Sequence, residues 1–161
     1  MRSLMILALL ALPVGAAAQA PAPRFDPLRF FEGRTEGVGR FKVVLRAGQD
    51  VRVEGRGRME GDTLVLDQVV TREGTGPKPR QWRIRQTAPG RYTGTLTDAK
   101  GPITGEATGD RLHLAFTSTG GYRIDQWLQL SADGRSAQNR LVARRFGVTV
   151  AHLDETIRKL D

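Results

Sequence analysis

Most of the chain from residue 41 onward alternates apolar and polar residues with a period of two, the pattern of half-buried β-strands. The intervening positions are mainly polar or charged, so one face of each strand covers a core and the other faces water. The apolar sets with this spacing are Phe41, Val43 and Leu45; Val51 and Val53; Leu64 and Leu66; Trp82 and Ile84; Leu112, Leu114 and Phe116; and Tyr122, Ile124, Leu128 and Leu130.

Short turn sequences separate these strands at a spacing of roughly 8–12 residues, which is typical of sandwiches and barrels. Examples are Glu60-Gly61-Asp62, Lys100-Gly101-Pro102 and Asp133-Gly134. The spacing predicts about nine or ten strands in an antiparallel meander, sandwich or barrel. We favour a barrel because closure removes exposed strand edges. The strand–helix alternation of a doubly wound nucleotide-binding fold is absent, so the predicted class is all-β, a single antiparallel barrel.

The aromatic segment Phe25–Phe31 precedes the first strand and predicts a short N-terminal helical turn. Asp26 followed by Pro27 is a favourable pair for the N-cap and the first turn of a helix. We expect this turn to plug or brace one end of the barrel.

The last residues change to a spacing close to that of a helix. Val150, Leu153, Ile157 and Leu160 lie three or four positions apart, and acidic residues precede basic ones. This order of charges matches the helix dipole, so the pattern favours a short C-terminal helix over Leu153–Leu160. A continuing strand is the alternative.

The N-terminal residues have the layout of a secretory signal peptide. A short positively charged segment, Met1-Arg2, is followed by the apolar run Leu4–Leu12 and the small residues Ala16–Ala18. This run is too short to span a bilayer, so we predict cleavage before Gln19 and a periplasmic location. An uncleaved N-terminal anchor is the alternative. The predicted segments are a signal peptide at 1–18, a disordered lead at 19–24 and the barrel domain at 25–161.

The composition excludes several kinds of active site. The chain has 161 residues, no cysteine and two histidines, His113 and His152. Disulfides, thiolate catalysis, cysteine-ligated zinc, iron–sulfur clusters and lipid attachment through an N-terminal cysteine are therefore excluded. Two histidines are too few for a His-rich metal centre. We predict a monomer with no metal and no cofactor.

The chain is basic, with 25 Lys plus Arg against 17 Asp plus Glu and a net charge of +8. Only 6% of its residues are aromatic, and it shows no basic–aromatic platform, so nucleic acid is not an expected partner. Peripheral contact with anionic phospholipid is one interpretation of the charge, and an ordinary solvated surface is the other. If their strands are neighbours, a basic stripe would consist of Arg52, Glu54, Arg56 and Arg58 together with Arg83 and Arg85.

No motif of an established catalytic class stands out in the sequence. The chain contains no Gly-x-Ser-x-Gly, no His-Glu-x-x-His and no glycine-rich phosphate loop between a strand and a helix. Acid–base catalysis needs a titratable group held near the substrate, and the candidates are His113, Asp98 and Asp125. Each also has a structural interpretation, on a wet strand face, in a turn or in a cap.

Three short groups place an aromatic or amide side chain beside arginine or aspartate, at positions 80–82, 125–127 and 139–140. Such groups line a ligand cavity, or they cap a barrel end through an Asp–Arg hydrogen-bonded pair. Under the first interpretation, the candidate ligand-binding residues are Trp82 and Trp127 as cavity walls, Arg80, Asn139 and Arg140 as headgroup anchors, and Asp125.

Several segments, taken in order, resemble one family. They are Phe25-Asp26-Pro27-Leu28, Phe30–Gly37, Gly61-Asp62-Thr63-Leu64, Gly105–Gly109, Asn139-Arg140 and Phe146-Gly147-Val148. The chain is similar in these segments to the Gram-negative envelope family called domain of unknown function 3833, over nearly the whole mature length. The resemblance implies a lipocalin-like (calycin-type) barrel. The members of this family resemble outer-membrane lipoproteins and tend to be encoded near lipid-modifying enzymes. Because this chain lacks the lipobox cysteine, we expect it to be a free periplasmic protein.

The leading functional hypothesis is a non-catalytic carrier or sensor for an apolar small molecule, such as a fatty-acyl lipid, held inside the barrel. One alternative is a lipid-modifying isomerase or hydratase whose cavity holds a carboxylate or His113. The other is a structural module that docks on anionic lipid or on an envelope protein through its arginine-rich face.

Overall fold

A computed structural model of the protein describes residues 23–161. The predicted signal peptide and the first part of the predicted lead lie outside the described residues. Ten antiparallel strands close into one barrel, each strand pairing with the next along the chain and the last pairing with the first. The strands are β1 (Gly33–Val43), β2 (Gln49–Glu60), β3 (Thr63–Arg72), β4 (Lys78–Ala88), β5 (Arg91–Leu96), β6 (Ile103–Thr108), β7 (Arg111–Thr117), β8 (Arg123–Leu130), β9 (Ser136–Arg145) and β10 (Val148–Lys159).

The predicted antiparallel barrel is confirmed. The two terminal strands pair from Thr35 opposite Lys159 to Val43 opposite Ala151, which leaves no long strand edge exposed. Alternate residues of each strand point inward, as in β2, where Val51, Val53, Gly55 and Gly57 are buried and their neighbours are exposed. The apolar residues of the predicted period-two pattern therefore form the barrel core.

The N-terminal helical turn is also confirmed, as α1 (Pro27–Phe30). The Asp26 carboxylate accepts a hydrogen bond from the Leu28 N–H at 3.0 Å, which caps the turn. The rings of Phe25, Phe30 and Phe31 fill the barrel end below the turn. Gly57 allows this close approach, since a Cβ atom there would overlap the Phe31 carbonyl oxygen. We call this the plugged end, and the opposite rim the open end.

The C-terminal helix prediction is wrong, because residues 148–159 form β10. This strand pairs with β1 on one side and with β9 on the other, so both rows of its backbone groups are hydrogen-bonded within the sheet. Ala151, Leu153, Glu155 and Ile157 point inward with a period of two. Two-sided pairing in a closed barrel therefore outweighs the local helical spacing.

The predicted inward position of Leu45 is wrong as well. Strand β1 ends at Val43, and Leu45 lies in the following loop with 98% of its surface exposed. Its φ of 65° places it in the left-handed region, which turns the chain toward β2. No helix among residues 23–161 has the length and apolar character needed to cross a membrane.

Candidate functional site

The middle of the barrel interior carries a layer of polar side chains between the apolar plugged end and the open end. Its members come from five strands, β3, β4, β8, β9 and β10. They occupy inward positions, which are mainly apolar elsewhere in these strands. They are Gln68, Arg80, Gln126, Asn139 and Glu155, which we call the polar layer. Burying a charged or amide group costs free energy unless it has hydrogen-bond partners, so the contacts of each side chain in the layer must be identified.

Arg80 is held in place by its neighbours on β3 and β4. Its Nε donates to the Oε1 atom of Gln68 at 2.8 Å, and the indole Nε1 of Trp82 donates to the same oxygen at 2.9 Å. The guanidinium carbon lies 5.6 Å from the centre of the Trp82 ring, close enough for a cation–π interaction. Burial lowers the pKa of Arg80, while the charges of Glu155 and Asp98 act in the opposite direction.

Glu155 is the carboxylate of the polar layer. Its Oε2 accepts a hydrogen bond from the Asn139 Nδ2 atom at 2.7 Å. Burial raises the pKa of Glu155, and the hydrogen bond from Asn139 and the charge of Arg80 offset this only in part. Gly37 on β1 leaves the room for this side chain, since a Cβ atom there would overlap the Glu155 Oε1 atom.

Two oxygens of this pair are buried without a hydrogen-bond partner among residues 23–161. They are the Oε1 atom of Glu155 and the Oδ1 atom of Asn139. Most buried polar atoms in folded proteins are hydrogen-bonded, so these two acceptors mark a place where a hydrogen-bond donor, such as a water molecule, completes the set.

A cavity of about 240 Å³ lies directly above the polar layer, toward the open end. It is larger than the engineered cavity of about 150 Å³ that accommodates benzene in another protein, so it has room for a small apolar group. Its floor is formed by Arg80, Gln126, Asn139 and Glu155. Its walls are mainly apolar and comprise Phe41, Val51, Val53, Val70, Leu141 and Leu153, with Arg72, Thr75 and Lys78 at the rim.

A larger groove of about 930 Å³ runs along the outside of the plugged end. It is bordered by Phe25, Asp26 and Arg29 of the helical turn and by Lys159. The Lys159 ammonium is already bound by the carbonyl oxygens of Arg29, Phe30 and Glu32, and Asp26 caps the helix. These side chains therefore hold the plug, and we take the interior cavity as the candidate site.

His113 and Asp125 meet on the outer wall of the barrel. The His113 Nε2 lies 3.0 Å from the Oδ1 atom of Asp125, and the Nη1 atom of Arg144 donates to Oδ2 at 2.8 Å. The imidazole stacks on Trp127 with a centroid distance of 5.1 Å. This arrangement includes an Asp–Arg hydrogen-bonded pair, and it joins β7, β8 and β9 from outside. Neither candidate acid–base residue reaches the cavity.

The structure brings together half of the predicted ligand-binding residues. Arg80, Trp82 and Asn139 meet inside the barrel, whereas Trp127, Arg140 and Asp125 lie on the outer face. Asp98, the third acid–base candidate, lies in the connection between β5 and β6 at the open end.

Sequence reasoning missed Gln68, Gln126 and Glu155. The available signal was a polar residue interrupting an inward apolar series, as Gln126 does between Ile124 and Leu128.

The predicted basic stripe does not form, because β3 lies between β2 and β4. Three of its five arginines are also paired with carboxylates. Arg52 bonds to Glu36, Arg58 bonds to Asp67, and Arg83 bonds to Glu60. Exposed pairs of this kind contribute little to stability, but they reduce the local positive charge that an anionic partner would meet.

The barrel is similar to two solved structures at low sequence identity. One is the S-type phycobiliprotein lyase CPES from Guillardia theta, with a TM-score of 0.64, 3% identity and coverage of 83% of this chain and 90% of that chain. The other is Rv2717c from M. tuberculosis, with a TM-score of 0.62, 16% identity and coverage of 84% of this chain and 99% of that chain. At these identities the likeness establishes the lipocalin-like fold alone.

No curated protein matches the sequence at a significant level. A family model does match it, over residues 6–159, which is nearly the whole chain. The chain therefore belongs to the family described as Protein of unknown function (DUF3833).

Proposed function

We propose that this protein is a non-catalytic binding protein for a small anionic amphiphile, such as a fatty-acyl carboxylate, held in the cavity above the polar layer. The observation that carries the proposal is the half-buried Arg80, whose side chain forms part of the cavity floor. The ion pairs formed within residues 23–161 do not include it. A cation partly removed from water with no carboxylate in contact is unfavourable, and an anionic headgroup would supply the missing charge.

The arrangement of the cavity sets the direction in which such a ligand binds. The headgroup would lie on Arg80 at the floor, within reach of the amide groups of Gln126 and Asn139. The acyl chain would lie against the apolar walls and point toward the open end. Mainly apolar walls with a few converging polar groups are the usual construction of a small-molecule site. In this proposal the protein is exported to the periplasm, as its N-terminal sequence pattern predicts, and it acts there as a monomer.

Glu155 favours one second candidate function. Its raised pKa and its position in the cavity suit a general acid or base, whereas His113 and Asp125 lie outside. A lipid-modifying isomerase or hydratase would therefore use Glu155. Deletion of the gene would then remove a modified fatty acid from the envelope, and wild type but not Glu155→Gln would restore it.

Arg80→Gln is expected to weaken the binding of decanoate at least tenfold while leaving the binding of decanol nearly unchanged, because only the charged headgroup needs the guanidinium. Trp82 reports on this binding, since its ring lies beside Arg80. The chain has two tryptophans, and Trp127 is 40% exposed on the outer wall. In a Trp127→Phe background, fluorescence titration therefore follows Trp82 alone.

Arg83→Gln in the same background is the matched control, because it removes an outward-facing arginine of the same strand. It should bind decanoate like the parent. Arg80→Lys should retain part of the preference for decanoate, since it keeps the charge. The absence of any saturable change in Trp82 fluorescence, or an equal affinity for decanoate in Arg80→Gln and the parent, would overturn the proposal.

A further inference from the structure

The open end of the barrel carries a group of exposed apolar side chains. Leu45 is 98% exposed, Phe146 is 94% exposed and Val148 is 65% exposed. Leu45 lies in the β1–β2 loop, and Phe146 lies in the β9–β10 turn. These two loops are adjacent because β1 pairs with β10, and the Val44 N–H donates to the Val150 carbonyl at 2.9 Å. We call the residues 44–46 and 145–148 the apolar tip.

The backbone at the apolar tip would suit other residues better. Among residues 23–161, Leu45 and Phe146 are the non-glycine residues with positive φ, at 65° and 49°. Phe146 and Gly147 connect Arg145 to its register partner Val148, so they form a two-residue hairpin turn with positive φ at both positions. Asn-Gly is the favoured sequence for such a turn, whereas a bulky residue is strained in this region. The fold therefore does not account for leucine and phenylalanine here.

The segments that form the apolar tip are basic. Segments 42–48 and 144–149 contain four cations, Lys42, Arg46, Arg144 and Arg145, and no carboxylate. The carboxylates next to them are Asp50, which is paired with Arg40, and Glu73, which accepts a hydrogen bond from the Asp50 N–H. Arg144 is bonded to Asp125, but the other three cations take no part in the ion pairs formed within residues 23–161. The Arg145 guanidinium carbon lies 5.5 Å from the ring centre of Phe146. Exposed apolar side chains and cations therefore lie in the same two adjacent loops.

We propose that the apolar tip docks on an anionic phospholipid bilayer, with Leu45 and Phe146 inserted below the headgroups and the surrounding cations on the phosphates. Apolar insertion combined with basic residues is how peripheral proteins bind such surfaces. A second copy of this chain fits less well, because it would place the same cations opposite each other. The cavity opens at this same end, so docking would turn its mouth toward the membrane. This inference does not require that the cavity binds a ligand.

Vesicle co-sedimentation tests the proposal with the full chain. Wild type should bind phosphatidylglycerol vesicles at low salt, bind less at high salt, and bind phosphatidylcholine vesicles weakly. Phe146→Asn and Leu45→Asn should each lower the partition coefficient at least fivefold, and the double variant more. Their melting temperatures should be equal to or above that of wild type, because asparagine suits positive φ.

Leu160→Asn is the matched control, because Leu160 is 49% exposed at the plugged end, and it should bind vesicles like wild type. Phe146→Asn should keep the Trp82 response to decanoate, so failure of the docking proposal and failure of the ligand proposal are distinguishable. Unchanged vesicle binding by the double variant would overturn the docking proposal. So would concentration-dependent dimerisation of wild type that Phe146→Asn abolishes in the absence of any vesicle binding.

Discussion

Replacing Phe30 by alanine is expected to lower the free energy of unfolding by about 3–5 kcal/mol, the usual range for a buried phenylalanine. Phe30 is 4% exposed and lies at the centre of the plug. Its ring centre is 5.2 Å from that of Phe25 and 4.9 Å from that of Phe31, the latter in an edge-to-face arrangement. Removing the central ring leaves a cavity between two aromatic side chains and the barrel core, and a closed barrel has little freedom to collapse around it.

Urea denaturation followed by circular dichroism measures this loss. Phe146→Ala is the matched control, because it removes the same atoms from a ring that is 94% exposed. The control should change the free energy of unfolding by no more than about 0.5 kcal/mol, as expected for a surface site. A loss below about 1 kcal/mol in Phe30→Ala would show that the plug is not part of the cooperatively folded core.

The barrel could be predicted from the sequence because its strands are half-buried. Apolar and polar residues alternate along such strands, as at Leu112 and Leu114 on either side of His113, and the turn signals fix their lengths. The helical turn could be predicted for a local reason as well. Asp26 and Pro27 determine its cap within two residues, and the structure shows that cap.

The C-terminal strand could not be predicted from its own residues, because its stability comes from two neighbours that are distant in the sequence. One of them, β1, precedes it by more than a hundred residues, as the pairing of Gly39 with Glu155 shows. Within β10, the inward Glu155 also interrupts the apolar series between Leu153 and Ile157. A polar residue at a core position therefore masks the period of two that would have identified the strand.

Asn139 was predicted as a site residue by its type, but contacts within the candidate site could be predicted only between residues that lie close together in the sequence. Arg80 and Trp82 are two positions apart on one strand, so their shared face follows from the pleat. Gln68 joins them from β3, and Asn139 and Glu155 meet from β9 and β10. These contacts depend on strand register, which no local pattern specifies. The same limitation applies to the basic stripe, because predicting whether it forms requires knowledge of which strands are neighbours.

Replacing Glu155 by glutamine is expected to make the protein more stable at neutral pH but not in acid. Burial raises the pKa of Glu155 above its value in the unfolded chain, which is near 4.5. The carboxyl group of Glu155 therefore stays protonated to a higher pH in the folded protein than in the unfolded chain. Between the two pKa values the stability of wild type falls as pH rises, and above the folded pKa the loss is complete. Each unit by which folding raises the pKa corresponds to about 1.4 kcal/mol.

Urea denaturation of both proteins from about pH 4 to about pH 8 would show this as a gap between two stability curves that opens as pH rises. Glu106→Gln is the matched control, because Glu106 is exposed on the barrel wall and its replacement changes the net charge equally. If Glu155→Gln were instead less stable than wild type at neutral pH, attraction between Glu155 and Arg80 would outweigh the cost of burial.

The same titration should control ligand binding, because an anionic headgroup on Arg80 would lie beside Glu155. A protonated Glu155 leaves the charge of Arg80 for the ligand, whereas an ionised Glu155 competes for it and repels the headgroup. Decyl sulfate, which stays ionised throughout, should therefore bind wild type more weakly as pH rises through the folded pKa of Glu155. Glu155→Gln should bind it with little pH dependence. Parallel pH profiles for the two proteins would show that Glu155 does not regulate the cavity.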